Sequence, residues 1–197
     1  MDFTLSDEQS MLAEAVARWL ETDYDFTRRR RLASGAEAWQ SNWRQLADLG
    51  LVGLNVPEAD GGMGASSIEA LLVMQALGRA LTVEPYLQTA LVAAPLLARA
   101  GSDAQRAQWL PAIAAGEKRV VVAAYEPGAR FDLDHVETRA ERRGTGHVLN
   151  GRKTAVIGAA GADALIVSAR TEGEARGAAG VSLFLVPADA SGLAIDD

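Results

Sequence analysis

Gly116-Glu117-Lys118-Arg119-Val120-Val121-Val122-Ala123-Ala124 divides the chain between two patterns. Before it, apolar residues return every three or four positions, the spacing of one face of a helix. From Val120 onward they come in short β-branched runs or alternate, the spacing of strands. A block of helices followed by a block of strands predicts an α+β protein with segregated parts, because βαβ units would alternate. The expected division is a helical N-terminal domain over 1–117 and a β-domain over 118–197. No internal repeat is visible.

Working back from Gly116, five helices are expected. The first opens at Ser6 with Gln9 three residues on, a capping box, and presents Met11, Leu12, Ala15, Val16, Trp19 and Leu20 on one face. The second covers 36–49, with Trp39, Trp43 and Leu46 aligned and Gly50 as terminator. Ser66 and Glu69 cap the third, whose Ile68, Leu71, Leu72, Ala76 and Leu77 should pack inward. The fourth spans 87–100 and stops at Gly101. The fifth opens at Ser102 with Gln105 and carries Trp109, Leu110 and Ile113, and Pro111 should kink or split it. The four tryptophans belong to the core on this reading.

Working forward, six strand candidates follow. Val120 to Ala124 ends at Glu126-Pro127-Gly128, and 136–140 alternates. Asn150-Gly151, between His147-Val148-Leu149 and Lys153-Thr154-Ala155-Val156, is the strongest hairpin signal, since both residues tolerate positive φ. Residues 164–169 and 181–186 are apolar strands, joined by the small-residue connector 173–180. Residues 192–197 read as a strand beginning, so the polypeptide is expected to continue.

Composition excludes several classes. A net charge of -7 leaves no basic surplus for nucleic acid. No apolar run is long enough to span a bilayer and Met1-Asp2-Phe3-Thr4 lacks a signal-peptide pattern, which predicts a cytoplasmic protein. With no cysteine there is neither a disulfide frame nor a thiolate site. His135 and His147 lack metal-ligand spacing, so no metal is expected. No nucleophile elbow is present. The run Arg28-Arg29-Arg30-Arg31 reads as a solvated helix face in preference to a contact for phosphates or a partner.

Leu49-Gly50-Leu51-Val52-Gly53-Leu54-Asn55-Val56-Pro57-Glu58, with Gly61-Gly62-Met63-Gly64, is by local physics an interhelical connection. No lysine and hydroxyl residue follow it as in a phosphate loop. The stretch resembles the helix-to-loop signature of the acyl-CoA dehydrogenase family. Ser6-Asp7-Glu8-Gln9 resembles that family's opening, Leu110-Pro111-Ala112-Ile113-Ala114-Ala115-Gly116-Glu117 the end of its helical domain, and Asn150-Gly151-Arg152-Lys153 with Ala162-Asp163 its middle domain. Tyr24-Asp25-Phe26, Leu81-Thr82-Val83-Glu84-Pro85-Tyr86 and Ser168-Ala169-Arg170-Thr171 are similar to small subunits of pimeloyl-CoA dehydrogenases. The resemblance implies a partial antiparallel β-barrel or sandwich for the second part, and a C-terminal four-helix domain beyond it.

The resemblance also implies FAD. The family shows Ser or Thr, then Glu-Pro, then Gly-Ser-Asp; here Tyr125-Glu126-Pro127-Gly128-Ala129-Arg130-Phe131-Asp132 stands in its place. Glu126, Pro127 and Asp132 match. Tyr125 keeps a hydroxyl on a larger side chain, while Arg130 and Phe131 replace glycine and serine. In the second flavin segment, Lys153-Thr154-Ala155-Val156-Ile157 lacks the family's tryptophan and hydroxyl residue. The cofactor-binding candidates are therefore Tyr125, Arg130, Phe131, Ala155, Val156 and Ile157, with backbone amides of Tyr125, Phe131 and Val156 as donors. Arg130 and Phe131 are also the substrate candidates. Arg130 faces the flavin or an acyl carboxylate, or else is a solvated charge; Tyr125 belongs to the site, or else packs on its neighbour.

What the resemblance implies for function is FAD-dependent α,β-dehydrogenation of an acyl-CoA thioester, a glutamate taking the α-proton while hydride leaves the β-carbon. The family draws that base from its C-terminal domain, so no catalytic residue is assigned here and this chain alone is expected to be inactive. Electron-transferring flavoprotein and a homo- or hetero-tetramer are the implied partners. The alternative is a flavin-poor partner subunit of a hetero-oligomeric dehydrogenase.

Overall fold

Ser6, Ser66 and Ser102 each start a helix through a complete capping box, as their spacing to Gln9, Glu69 and Gln105 predicts. The computed structural model describes residues 4–196; Met1, Asp2, Phe3 and Asp197, on which the expectations about a leader and a continuing strand partly rest, lie outside the described residues. Two compact units make up the chain, Met1–Lys118 and Arg119–Asp197.

The first unit is helical: α1 Asp7–Asp23, α2 Phe26–Ala33, α3 Gln40–Asp48, α4 Ser67–Ala80, α5 Ala94–Ala100 and α6 Asp103–Ala114. Its core gathers Val16, Leu20, Leu46, Val73, Leu97 and Ile113. Several expectations need correction. Helix α2, which carries the basic run, is additional to the five expected helices and is capped by Asp25, whose side chain accepts from Arg28 N. The next helix starts at Gln40 rather than 36. Met11, Ile68 and Leu71 are exposed at 69%, 48% and 65%, and Val73 takes the inner position. Helix α4 is apolar almost all round, so its pattern does not choose a face: Leu71 lies on the side opposite Val73 at 3.6 residues per turn. Among the tryptophans only Trp43 is buried; Trp39 meets its ring edge-on, and Trp19 donates to Gln45 Oε1.

Leu87–Ala93 is a π-helical segment running into α5. Pro95 has no N–H to donate, and the wider turn accommodates the missing ladder bond. Pro111 does not split α6, which continues from Asp103 to Ala114. The glycine-rich stretch turns Leu51, Val52, Leu54 and Val56 into the core. Gly62 then passes so close that a Cβ there would sit 2.1 Å from Val56 O.

The second unit is a mixed five-stranded sheet: β1 Val120–Ala123, β2 Arg139–Arg143, β3 Gly146–Asn150, β4 Ala164–Arg170 and β5 Val181–Pro187. The central β4 is buried throughout. It pairs antiparallel with β5 along its length and parallel with β1, and β2 joins at Arg139↔Arg170. The expected antiparallel pairing holds for β2–β3 and β4–β5, while β1 and β2 meet β4 in parallel. The hairpin is corrected as well. Its turn is Gly144-Thr145, with Gly144 at φ 59, whereas Asn150 ends β3 and residues 151–156 form no strand. Gly151 is required for another reason: a Cβ there would lie 2.4 Å from Thr138 Oγ1. Residues 193–196, expected to begin a strand, form none.

Candidate functional site

At the end of β1 the chain enters the turn 125–132, and Glu126 points inward, 3% exposed. Its carboxylate accepts hydrogen bonds from Glu137 N (2.6 Å), Thr138 N (3.0 Å), Thr138 Oγ1 (2.6 Å) and Lys153 Nζ (2.7 Å). Lys153 uses all three donors, the others reaching Ser168 Oγ at 2.9 Å and the Ala124 carbonyl at 3.4 Å. Burial opposes the charge on Glu126, but the Lys153 ammonium, the Thr138 hydroxyl and the two amides outweigh it and hold the carboxyl at about 2. Burial also draws the Lys153 ammonium below the ordinary lysine range, against the pull of Glu126. Glu126 is therefore ionised at neutral pH.

The two ribbons expected to cooperate are neighbours. Thr154 N donates to Tyr125 O at 2.8 Å, joining 153–157 to 125–132. The Tyr125 ring is half-buried and meets Phe131 edge-on, centroids 6.0 Å apart, while Phe131 itself is 88% exposed. Tyr125 therefore does pack on a neighbour, and its carbonyl also ties the ribbons. Arg130 is exposed at φ 54 and, among the described residues, has no hydrogen bond or ion pair. Ala155 is exposed at φ 52. A non-glycine residue in this region costs ~1–2 kcal/mol, and such strain gathers at functional positions. Val156 is partly buried and packs against the cluster of Val121, Ala123, Leu165 and Val167, whereas Ile157 is exposed. Among the described residues the N–H groups of Tyr125, Phe131 and Val156 meet no acceptor.

Sequence reasoning missed the buried charges beneath these ribbons. Glu126 and Lys153 were visible only as motif residues, and nothing local pairs positions so far apart. Arg170, 1% exposed, was seen only as part of a resemblance; it donates to the carbonyls of Asp134, Val136, Ala175, Gly177 and Ala179. In the helical unit the basic run is not a uniformly solvated face. Arg28 donates to Glu37, to the Asp23 carbonyl and to Asn42, which in turn donates to buried Glu84. Tyr24 also donates to Glu84, and burial raises its hydroxyl far above the usual tyrosine range. Among the described residues no three His, Cys, Asp or Glu side chains are grouped to hold a metal, and no helix is long and apolar enough to cross a membrane.

Family models decide the relationship: the acyl-CoA dehydrogenase N-terminal domain matches residues 6–117 and the acyl-CoA dehydrogenase middle domain matches 122–197. The chain belongs to the acyl-CoA dehydrogenase family. It is 32% identical over 199 residues to the acyl-CoA dehydrogenase FadE12 of Mycobacterium tuberculosis H37Rv, covering 96% of this chain and 49% of that protein. The ChsE4-ChsE5 complex of Mycobacterium tuberculosis superposes with a TM-score of 0.84 at 29% identity, covering 98% of this chain and 49% of that one. An FAD complex of PigA superposes at 0.83 with 26% identity, covering 95% and 49%. The chain thus spans about half the length of these relatives.

Proposed function

We propose that this chain forms the helical domain, 1–117, and part of the middle domain, 118–197, of an FAD-dependent acyl-CoA dehydrogenase. The observation that carries the reading is the Thr154 N to Tyr125 O bond, which sets side by side the two segments that the family resemblance assigns to flavin. The ribbons fit such a group. The open amides of Tyr125, Phe131 and Val156 face no protein acceptor, and Ala155 leaves space where a large side chain would stand. In this reading those amides hold and orient FAD, with Ile157 and the Tyr125–Phe131 pair excluding water. When bound, FAD supplies the acceptor for the electrons and hydrogen removed from the β-carbon of an acyl-CoA. Arg130 offers the ligand an unpaired cation and Phe131 an apolar edge. The base that takes the α-proton is not assigned to any residue of this chain.

Electron-transferring flavoprotein as acceptor, a tetrameric assembly and a cytoplasmic location complete the proposal. A second reading has a specific motive: Arg130 and Phe131 occupy the glycine and serine positions of the family motif, and one structural relative is a complex of two different subunits. This chain would then shape a partner's site without its own flavin. Flavin content of the native assembly distinguishes the two, one FAD per chain supporting the enzyme and half that the partner subunit. Bleaching of the flavin absorbance by straight, branched, aromatic or dicarboxylic acyl-CoAs tests the reaction, and no bleaching with any of them sinks it.

A further inference from the structure

We propose that Lys153, through its buried pair with Glu126, is the positioning residue that fixes the spacing and strain of the two ribbons, and this rests on the flavin reading above. Four pieces of chain are tied together through this pair. Lys153 belongs to the second ribbon, Ala124 and Glu126 to the first, Ser168 to the central strand β4, and Glu126 extends the contact to the amides of Glu137 and Thr138. The bond that joins the ribbons, Thr154 N to Tyr125 O, is one residue from the pair on each side. A lysine serving only solubility would keep its ammonium in water, whereas this side chain is 9% exposed.

The strained residue Ala155 lies two positions beyond Lys153. A left-handed alanine persists only where its surroundings over-determine it. On its open side Ala155 has none, being exposed, so the constraint enters along the backbone from Lys153 and from Val156, which is packed against the sheet. A buried ion pair suits this task better than an apolar contact, because its direction and length are fixed by hydrogen bonds on both partners. Lys153 touches no reacting atom in this account. It acts through the backbone amides that follow it.

The test uses the native assembly and the paired substitution Glu126→Gln with Lys153→Met, which removes both charges at similar volume and so avoids stranding one of them. Amide exchange is followed in the flavin-free protein, and FAD affinity is measured by reconstitution. Exchange at Thr154 should quicken by about tenfold, the consequence of weakening one hydrogen bond, while β4 stays protected. The FAD dissociation constant should rise by a similar factor. Unchanged exchange at Thr154 overturns the proposal. Faster exchange with unchanged FAD affinity overturns the link between the pair and the cofactor. Should the wild type take up no FAD at all, the flavin reading fails, and exchange still judges the positioning role. Ser168→Ala, which keeps both charges and removes one acceptor of the ammonium, provides a second variant. It should shift both readouts in the same direction by a smaller factor, and no shift in either counts against Lys153.

Discussion

Glu126 is a residue through which acid should weaken the fold. Its folded carboxyl titrates at about 2 against an ordinary 4.5. A depressed folded value means that the stabilisation is complete above about pH 4.5 and is lost as pH falls toward 2. The contribution is at most a few kcal/mol, since each unit of separation corresponds to ~1.4 kcal/mol and the burial of Lys153 works against it. Urea midpoints measured at pH 6 and pH 3 should fall further for the wild type than for Glu126→Gln, and equal falls would remove Glu126 as a determinant. At this scale the sequence was half legible. Tyr125, Phe131 and Val156 could be named only through the resemblance of their segments to the family's flavin motifs. The charges supporting them could not, because Glu126–Lys153 and Arg28–Asn42–Glu84 are contacts across long separations that leave no periodic trace.

Elements were legible wherever a local rule decides them. Serine with Gln or Glu three residues later fixes three helix starts without help from tertiary structure. Where local signals compete, packing decides. Asn150-Gly151 carries hairpin chemistry, yet Asn150 pairs with Arg139 and Gly151 is needed against Thr138, so the turn forms at Gly144-Thr145. The two glycines should therefore answer differently to alanine. Gly144 faces open space and has only its positive φ to lose, so Gly144→Ala should cost ~1–2 kcal/mol. Gly62 is not left-handed but lies against the Val56 backbone, and Gly62→Ala should cost at least ~2 kcal/mol through displaced core. Thermal unfolding of the two variants orders them, and the reverse order would refute the close-approach account.

As a whole molecule, the change of pattern at Val120 corresponds to the passage from one compact unit to the other. The helical unit carries its own core, and its last turn is tied back by Trp43 Nε1 donating to Gly116 O at 3.0 Å. We expect residues 1–118 expressed alone to melt in one cooperative transition reported by tryptophan emission, Trp43 being the buried fluorophore. A broad, probe-dependent melt would mean that this unit cannot stand by itself.

The segment 173–180 is built from small and charged residues and has little apolar surface with which to hold a shape. Arg170 supplies what is missing: one guanidinium, shut away from water, serves as a rivet for five carbonyl oxygens drawn from both sides of the chain. A lysine has the same charge but only three hydrogens on a single atom, too few and too close together for that span. Arg170→Lys should consequently open this corner to limited proteolysis while the rest of the sheet resists. The corner would then be stitched by geometry and not by charge, and a substitution that looks conservative on paper would undo it.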